Sequence, residues 1–415
     1  MNDISVDVLI IGAGPSGCVA AAHLNNNNIK TKVVEKSKFP RFVIGESLLP
    51  RCMDHFEETG LLKALEARNY ELKPGARFLK GDIVCNFDFS KKHTKGWDYT
   101  WQVPRADFDH TLAQDVIKKG GDISFQHEVT GVTFDDNGHS TTSVKDENGN
   151  EYKIHAKFII DSSGYGRVLP RLLDLETPSS LPQHSAIFTH IKETNRPKGE
   201  EGTIITFDVV TGDTWLWVIP FSNGVTSIGF VGPTKVIESY KGNSTEKLQE
   251  MLKLSNYYYD RIIPYDFLFE PRIITDYSKA VKQLYGKGYA LTGNSAEFLD
   301  PVFSSGVTFA TESGLLAAKL ITKELNGENV DWEKDYTEYI MRGVEVFRTY
   351  VTEWYTGNLQ KIFFHRPENP VIKEQICSVL AGYVWDETNP FVKNHDRLVK
   401  TVAKVIDMEN EKNLT

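Results

Sequence analysis

A continuous apolar run at residues 6–11 (VDVLII) leads straight into the glycine turn Gly12-Ala13-Gly14-Pro15-Ser16-Gly17. No other feature of the chain restricts its fold as strongly. An apolar run of this kind reads as a parallel strand covered on both faces. The Ala-rich segment 18–24 reads as a helix, ended by the turn-prone run Asn25 to Asn28. Residues 31–34 read as a second strand that delivers Glu35, 18 residues beyond Gly17. Strand, glycine turn, helix, strand and acid together mark a dinucleotide-binding unit, which an isolated GxGxxG does not. Gly12 permits the tight turn, Gly14 lets a pyrophosphate approach the backbone, and Gly17 lets the helix pack closely on the strand. The helix N-terminus then faces phosphate charge, and Glu35 is placed for a pair of ribose hydroxyls. No second GxGxxG stands between a strand and a helix, so one dinucleotide site is expected.

The 415 residues allow two to three domains at roughly 150 residues each. With 40% hydrophobic and 25% charged residues, the chain has an ordinary globular composition and can bury a large core without disulfides. A formal net charge of −9 argues against a general nucleic-acid binder. The four cysteines (Cys18, Cys52, Cys85 and Cys377) form no CxxC, which excludes a disulfide framework and fits a reducing compartment. Cys52 and His55 share a helix face, but two ligands do not make a metal site, and no metal is expected. The start, Met1-Asn2-Asp3-Ile4-Ser5, lacks the basic region of a signal peptide. No window approaches the ~20 apolar residues of a membrane span. A cytoplasmic location is the expectation.

Beyond residue 70 the pattern becomes strand-rich, with strands expected at 99–103, 203–210, 215–219 and 225–231. Asn223-Gly224 between the last two is a hairpin signal. Residues 158–161 (FIID) read as a buried strand ending in Ser162-Ser163-Gly164, and 289–294 (YALTGN) repeat that theme. From Gly314 onward the chain reads as mainly helical, and the acidic tail beyond Asp407 is expected to fray. The nucleotide-binding segments are separated by strand-rich insertions, so two domains are interleaved along the chain.

Four segments, in this order and spacing, resemble FAD-dependent enzymes of the aromatic-hydroxylase type. They are the turn at 12–17, Val103-Pro104-Arg105 with Phe108-Asp109, residues 160–164 (IDSSG), and Gly293-Asn294-Ser295-Ala296. That superfamily includes single-component hydroxylases, prenyl-lipid reductases and flavin-dependent halogenases, and the resemblance covers roughly residues 5–350. Three further segments narrow it to a halogenase-like member. Residues 41–47 (RFVIGES) are similar to the strap beside the flavin, 215–220 (WLWVIP) match WxWxIP, and 298–306 (FLDPVFSSG) match FxxPxxSxG. The resemblance implies an α/β fold: a Rossmann-type, GR2-like FAD-binding domain (1–75, 101–180 and 280–330), an interleaved β-sheet substrate domain (76–100 and 181–279), and a C-terminal helical region (331–415).

The resemblance also implies roles. Lys73, in the segment LKPGARF, occupies the place of the essential halogenase lysine. As an ammonium it would donate a hydrogen bond to hypohalous acid; as a neutral amine it would form a haloamine, and burial makes both forms accessible. The expected FAD contacts begin with Gly12, Gly14, Pro15, Ser16 and Gly17, followed by Glu35 and Lys36. Arg41, Ser47, Arg105 and the backbone of Val129, taken to meet the adenine, come next. Gly293, Asn294, Pro301, Ser305, Gly306 and Val307 complete the set. Ser305 and Gly306 also match the halide-binding pair, as a backbone nest before a helix. Trp215, Trp217 and Ile219 alternate and so share one strand face, either as a wall between substrate and flavin or as core packing. Trp354, Tyr355, Phe363 and Phe364 read either as a substrate-end lining or as helix packing.

Three departures from the family pattern matter. Tryptophan halogenases carry a glutamate where this chain has Phe303, which points to the phenol- or pyrrole-halogenating branch. The Asp-Gly of single-component hydroxylases is Ser163-Gly164 here, which points to reduced FAD delivered by a separate flavin reductase. Gly-Asp of the third motif is Gly293-Asn294, which keeps hydrogen-bonding reach but loses the charge. The expected activity is FAD-dependent halogenation of an electron-rich aromatic, small or carrier-tethered, with halide and oxygen. The alternatives are a monooxygenase or a prenyl- or polyene-lipid reductase on the same fold, and a flavin-binding protein without turnover.

Overall fold

The computed structural model describes residues 3–414. Met1 and Asn2, on which part of the N-terminal reading rests, lie outside the described residues, as does Thr415 at the end of the acidic tail. Strand Ile4–Ile11 lies inside an eight-stranded sheet, parallel to Glu151–Asp161 on one side and to Thr31–Glu35 on the other. Asp122–Phe125 and Tyr289–Leu291 extend the parallel set. Ile11 is in register with both Val34 and Asp161, and Asp161 with Leu291. Parallel register therefore brings the chain ends after these strands, at Gly12, Glu35, Ser162 and Thr292, to one edge, where open α/β sheets bind ligands. Helix Pro15–Asn26 packs against helix Gly306–Leu325 so closely that a Cβ on Gly314 would sit 2.6 Å from the Ser16 carbonyl oxygen.

The second sheet has seven strands. Their order is Arg272–Thr275, His184–Lys192, Val225–Pro233, Trp215–Pro220, Thr206–Val209, Gly75–Lys80 and Ile83–Asp88. The expected hairpin is present, with Pro220 opposite Thr226. Period-two alternation sorts its strands. Trp215, Trp217 and Ile219 join the main core, while Leu216 and Val218 turn to a separate core with Leu248 and Met251 of helix Ser244–Leu252.

Several boundaries differ from the sequence reading. The stretch 203–210 is strand only at Thr206–Val209, because Glu200–Thr203 closes a helical turn first. FIID ends an eleven-residue strand, Glu151–Asp161, whose first half alternates because it pairs with the antiparallel strand Ser140–Lys145. The long helix starts at Gly306 rather than Gly314. A π-helical turn at Glu333–Glu338 precedes helix Tyr339–Tyr355. Where the tail was expected to fray, helix His395–Leu414 continues past Asp407, with Lys361–Asp407 and His365–Glu409 contacts at 2.7 and 3.4 Å. No helix among the described residues is long and apolar enough to cross a membrane.

Cys52 and His55 do lie in one helix, Arg51–Glu58, and both are buried against the long helix. Cys52 Sγ meets Thr308 Oγ1 at 3.1 Å, and the His55 ring bonds Thr311 Oγ1 and Glu312 Oε2, each at 2.8 Å. Arg51 Nε donates to the same carboxylate at 2.9 Å. Burial alone would push the Glu312 carboxyl up, but His55 and Arg51 overrule it and hold it well below the usual carboxylate range. A depressed folded pKa gives stability that is present above the unfolded value and lost as pH falls. Glu312→Gln is therefore expected to cost about 3 kcal/mol at pH 7. Its deficit relative to the unsubstituted protein should shrink as pH drops below about 4, which denaturant titrations at the two pH values would measure.

Candidate active site

A cavity of about 540 Å³ runs between the edge of the first sheet and the tryptophan face of the second. Gly12, at φ +100°, makes the turn off the first strand, and a Cβ there would lie 2.5 Å from the Ser162 carbonyl oxygen. Gly14, Pro15 and Ser16 line the cavity at the start of helix Pro15–Asn26. No side chain caps that N-terminus, so its first N–H groups are left for a ligand. Gly17 does not line the cavity. A Cβ on it would fall 1.9 Å from the Gly12 carbonyl oxygen, so its role is the close helix–strand contact alone.

Glu35 ends its strand inside the cavity wall, beside Lys36 and Val129. Its two carboxylate oxygens accept from the Ala13 and Ser37 N–H groups at 3.0 and 2.8 Å and retain lone pairs for hydroxyls. Arg41 lines the cavity and pairs with Asp109 at 2.8 Å. Arg105 also lines it, but its guanidinium is engaged: it grips Asp109 at 2.8 and 3.0 Å and donates to the Ile44 and Gly45 carbonyls. Arg105 thus braces the strap, which the sequence reading had not separated from a flavin contact.

The other two turns meet here as well. Asp161, buried, accepts from the Ser163 and Leu169 N–H groups at 2.9 and 2.7 Å; burial raises its pKa in spite of those donors. Arg167, at φ +45°, donates to the Asn294 and Ala280 carbonyls at 2.9 and 2.8 Å and ties the second turn to the third. Gly293, Asn294, Pro301, Gly306 and Val307 all line the cavity, but Ser305 does not. Ser304 lines it instead. A left-handed turn at Ser304 (φ +56°) leaves Ser305 as the buried N-cap of the long helix.

Lys73 closes the short strand Glu71–Lys73, opposite Thr100. It is fully buried and does not line the cavity. Its Nζ donates to Ser47 Oγ at 2.8 Å and to the Leu48 carbonyl at 2.7 Å, 5.7 Å from the Phe89 ring centroid. Burial pulls its pKa down to about 7, with a small opposing effect of Cys52. Ser47, which does line the cavity, is bonded in turn by Ser304 Oγ at 3.2 Å.

Trp215, Trp217 and Ile219 all line the cavity. Behind them lies a cluster that sequence reasoning missed. Tyr277 and Tyr355 both donate to Asp300 Oδ2, at 3.1 and 3.0 Å, and Trp215 Nε1 donates to Tyr355 Oη at 3.2 Å. Burial raises the Asp300 carboxyl despite these donors, which marks a polar group retained in an apolar wall. A charge inside the apolar run FLDPVF was the available signal. Trp354, Tyr355, Phe363 and Phe364 line none of the cavity. Trp354 and Phe363 pack with Phe78, as core, and Phe303 packs on Trp354 at 5.8 Å.

An uncapped helix N-terminus, an acid at the second strand end and a glycine cradle that open toward one cavity fit FAD. Among the described residues no cluster of metal ligands occurs.

The chain matches the FAD binding domain family over residues 5–252. It is 26% identical to the 1H-pyrrole-2-carbonyl-(peptidyl-carrier protein) brominase of Pseudoalteromonas luteoviolacea, over 92% of this chain and 93% of that one. It is 27% identical to the corresponding chlorinase of Pseudomonas fluorescens, over 93% and 91%. Among solved structures, a protein of Cytophaga hutchinsonii described as a flavoprotein/dehydrogenase superimposes with a TM-score of 0.96 at 50% identity, over 98% of this chain and all of that one.

Proposed function

This chain belongs to the FAD binding domain family and is an FAD-dependent oxidoreductase, and we propose that it halogenates an electron-rich aromatic ring, using reduced FAD, oxygen and halide. The observation that carries this reading is Lys73, a buried amine joined to the cavity through Ser47. An amine that titrates near neutrality suits either hydrogen-bonding or covalent capture of an oxidised halide.

Bound and reduced, FAD supplies the two electrons with which oxygen oxidises the halide. The glycine turn and the N-terminus of helix Pro15–Asn26 hold the pyrophosphate, Glu35 the ribose, and Val129 the adenine side. Gly306, at the N-terminus of the long helix, offers backbone N–H to the halide, with Ser304 rather than Ser305 as its cavity-facing neighbour. Trp215, Trp217 and Ile219 keep the acceptor ring away from the flavin. Phe303 gives no carboxylate to an indole N–H, which favours a phenol or a pyrrole, small or carrier-tethered. The two pyrrole-carrier halogenases among the relatives support that choice. Ser163-Gly164 supports reduction of FAD by a separate flavin reductase.

The test supplies purified protein with chemically reduced FAD and oxygen, with or without bromide, and a small phenol as trap. Bromophenol that appears only with bromide is the expected result. Peroxide production unchanged by bromide would overturn the reading in favour of a hydroxylase or, if an oxygen-free assay saturates a polyene, a lipid reductase.

A further inference from the structure

We propose that Ser47 is the switch point of a hydroxyl relay, Lys73 Nζ–Ser47 Oγ–Ser304 Oγ, through which the buried lysine exchanges its proton with a cavity it does not line. The proposal rests on the halogenase reading for its purpose, but not for its test.

The geometry separates the two acceptors of Nζ. The Leu48 carbonyl, at 2.7 Å, accepts and can do nothing else. The Ser47 hydroxyl, at 2.8 Å, accepts from an ammonium or, turned round, donates to a free amine. Ser304 Oγ lies 3.2 Å beyond it, and both serines line the cavity. Two constraints hold the links in place. Ser47 is bridged to Gln102 of the strand Thr100–Gln102, the partner of the lysine strand. Ser304 is fixed by its left-handed turn between Pro301–Phe303 and the long helix.

Among the described residues, the other groups around Nζ offer no exit. From helix Arg51–Glu58 the Cys52 thiol acts on it, but that thiol is bonded to Thr308 and pushed up by burial. The Phe89 ring closes another side. Opposite, on the paired strand, the Thr100 hydroxyl is buried without a partner. Glu46 of the strap faces His190 at 2.9 Å. Among the described residues no carboxylate pairs with Lys73.

The transfer balances without any change of oxidation state. One N–H bond of the ammonium breaks, and its electron pair stays on Nζ as the amine lone pair. Ser304 Oγ donates to Ser47 Oγ in the structure, so its hydroxyl first turns to the cavity and the Ser47 hydroxyl turns to Ser304. The proton then joins Ser47 Oγ while the original Ser47 hydroxyl proton passes to Ser304 Oγ. The Ser304 proton passes to water in the cavity, which becomes hydronium, and both serines end as neutral hydroxyls. Run backwards, the relay recharges the amine. Lys73 therefore changes protonation state without leaving its pocket, and Ser47 is a positioning residue for it.

Ser47→Thr and Ser47→Val have nearly the same shape and differ in the hydroxyl, so comparing them removes packing from the outcome. In full-length protein labelled at lysine with 15N and 13C, the Lys73 signal is identified by its absence in Lys73→Met. Two quantities are read: the titration midpoint of Lys73 and the exchange of its Nζ protons with solvent. For Ser47→Thr both should stay near those of the unsubstituted protein. For Ser47→Val the midpoint should fall by about one pH unit, as the ammonium loses an acceptor, and exchange should slow at least tenfold. Ser304→Ala should slow exchange and leave the midpoint within a few tenths of a unit, because it removes only the outer link. Bromide-dependent turnover, measured alongside, should fall at least tenfold in Ser47→Val and recover in Ser47→Thr. Equal exchange rates in Ser47→Val and Ser47→Thr overturn the relay, whatever the turnover. A protein with no bromide-dependent turnover overturns the halogenase reading and leaves the relay to be judged by exchange alone.

Discussion

Lys73→Met is expected to lower bromide-dependent oxidation of a phenolic trap by about 10²–10⁴-fold, the span of a lost acid–base group, with FAD still bound. Methionine matches the lysine stem in length and suits the surroundings of Phe89 and Cys52, so the fold should hold. It should in fact gain stability. The folded pKa of Lys73 is lowered to about 7, so between about pH 7 and 10.5 the unfolded chain binds the extra proton and stability rises with pH. Below that window the full burial cost applies, on the order of 3–5 kcal/mol before its hydrogen bonds are counted. The excess stability of Lys73→Met should therefore be largest at and below pH 7 and should shrink toward pH 10. In the unsubstituted protein, turnover should fall as pH rises through about 7 if the ammonium is the working form. Lys73→Arg, charged at every accessible pH, should lose that inflection. Normal bromination by Lys73→Met would remove the role assigned to Lys73.

The glycine turn gives the second large effect, and two neighbouring glycines separate its causes. Gly17→Ala places a Cβ 1.9 Å from the Gly12 carbonyl oxygen, a backbone atom that cannot swing aside. It should cost about 3 kcal/mol of stability and release FAD, since the turn itself must deform. Gly14→Ala meets nothing closer than Arg41 Nη2 at 3.8 Å, so the protein should fold with stability changed by less than about 1 kcal/mol. The same methyl occupies the approach to the uncapped helix N-terminus, so FAD affinity should drop about 100-fold. Thermal melts and flavin titrations of the two variants would test this. Unchanged FAD affinity in Gly14→Ala would mean that the pyrophosphate does not lie on this turn.

Much of the fold was legible because its signals are local. The apolar run, the turn glycines and the acid after the second strand each act on backbone within a few residues, so VDVLII-GAGPSG places one edge of the first sheet by itself. The tryptophan face was legible for the same reason, since side chains alternate along any strand. The substrate end was less so. The four aromatics at 354–364 read as lining or as packing, and only the partners Phe78 and Phe87, about 280 residues away in sequence, show Trp354 and Phe363 as packing, while Tyr355 turns to Asp300.

The sequence by itself determined the strand, glycine turn and helix that open the first sheet, that a GxGxxG stands in such a setting once, and which residues share the face of WLWVIP. Tertiary structure alone decided that Ser304 rather than Ser305 faces the cavity, that Arg105 braces the strap, that Asp300 gathers Tyr277 and Tyr355, and that Lys73 is bonded to the cavity-lining Ser47. The division has a physical cause. Backbone conformation and side-chain alternation are set by neighbours in the chain, whereas the partner, burial and protonation of a side chain are set by whatever the completed fold packs against it.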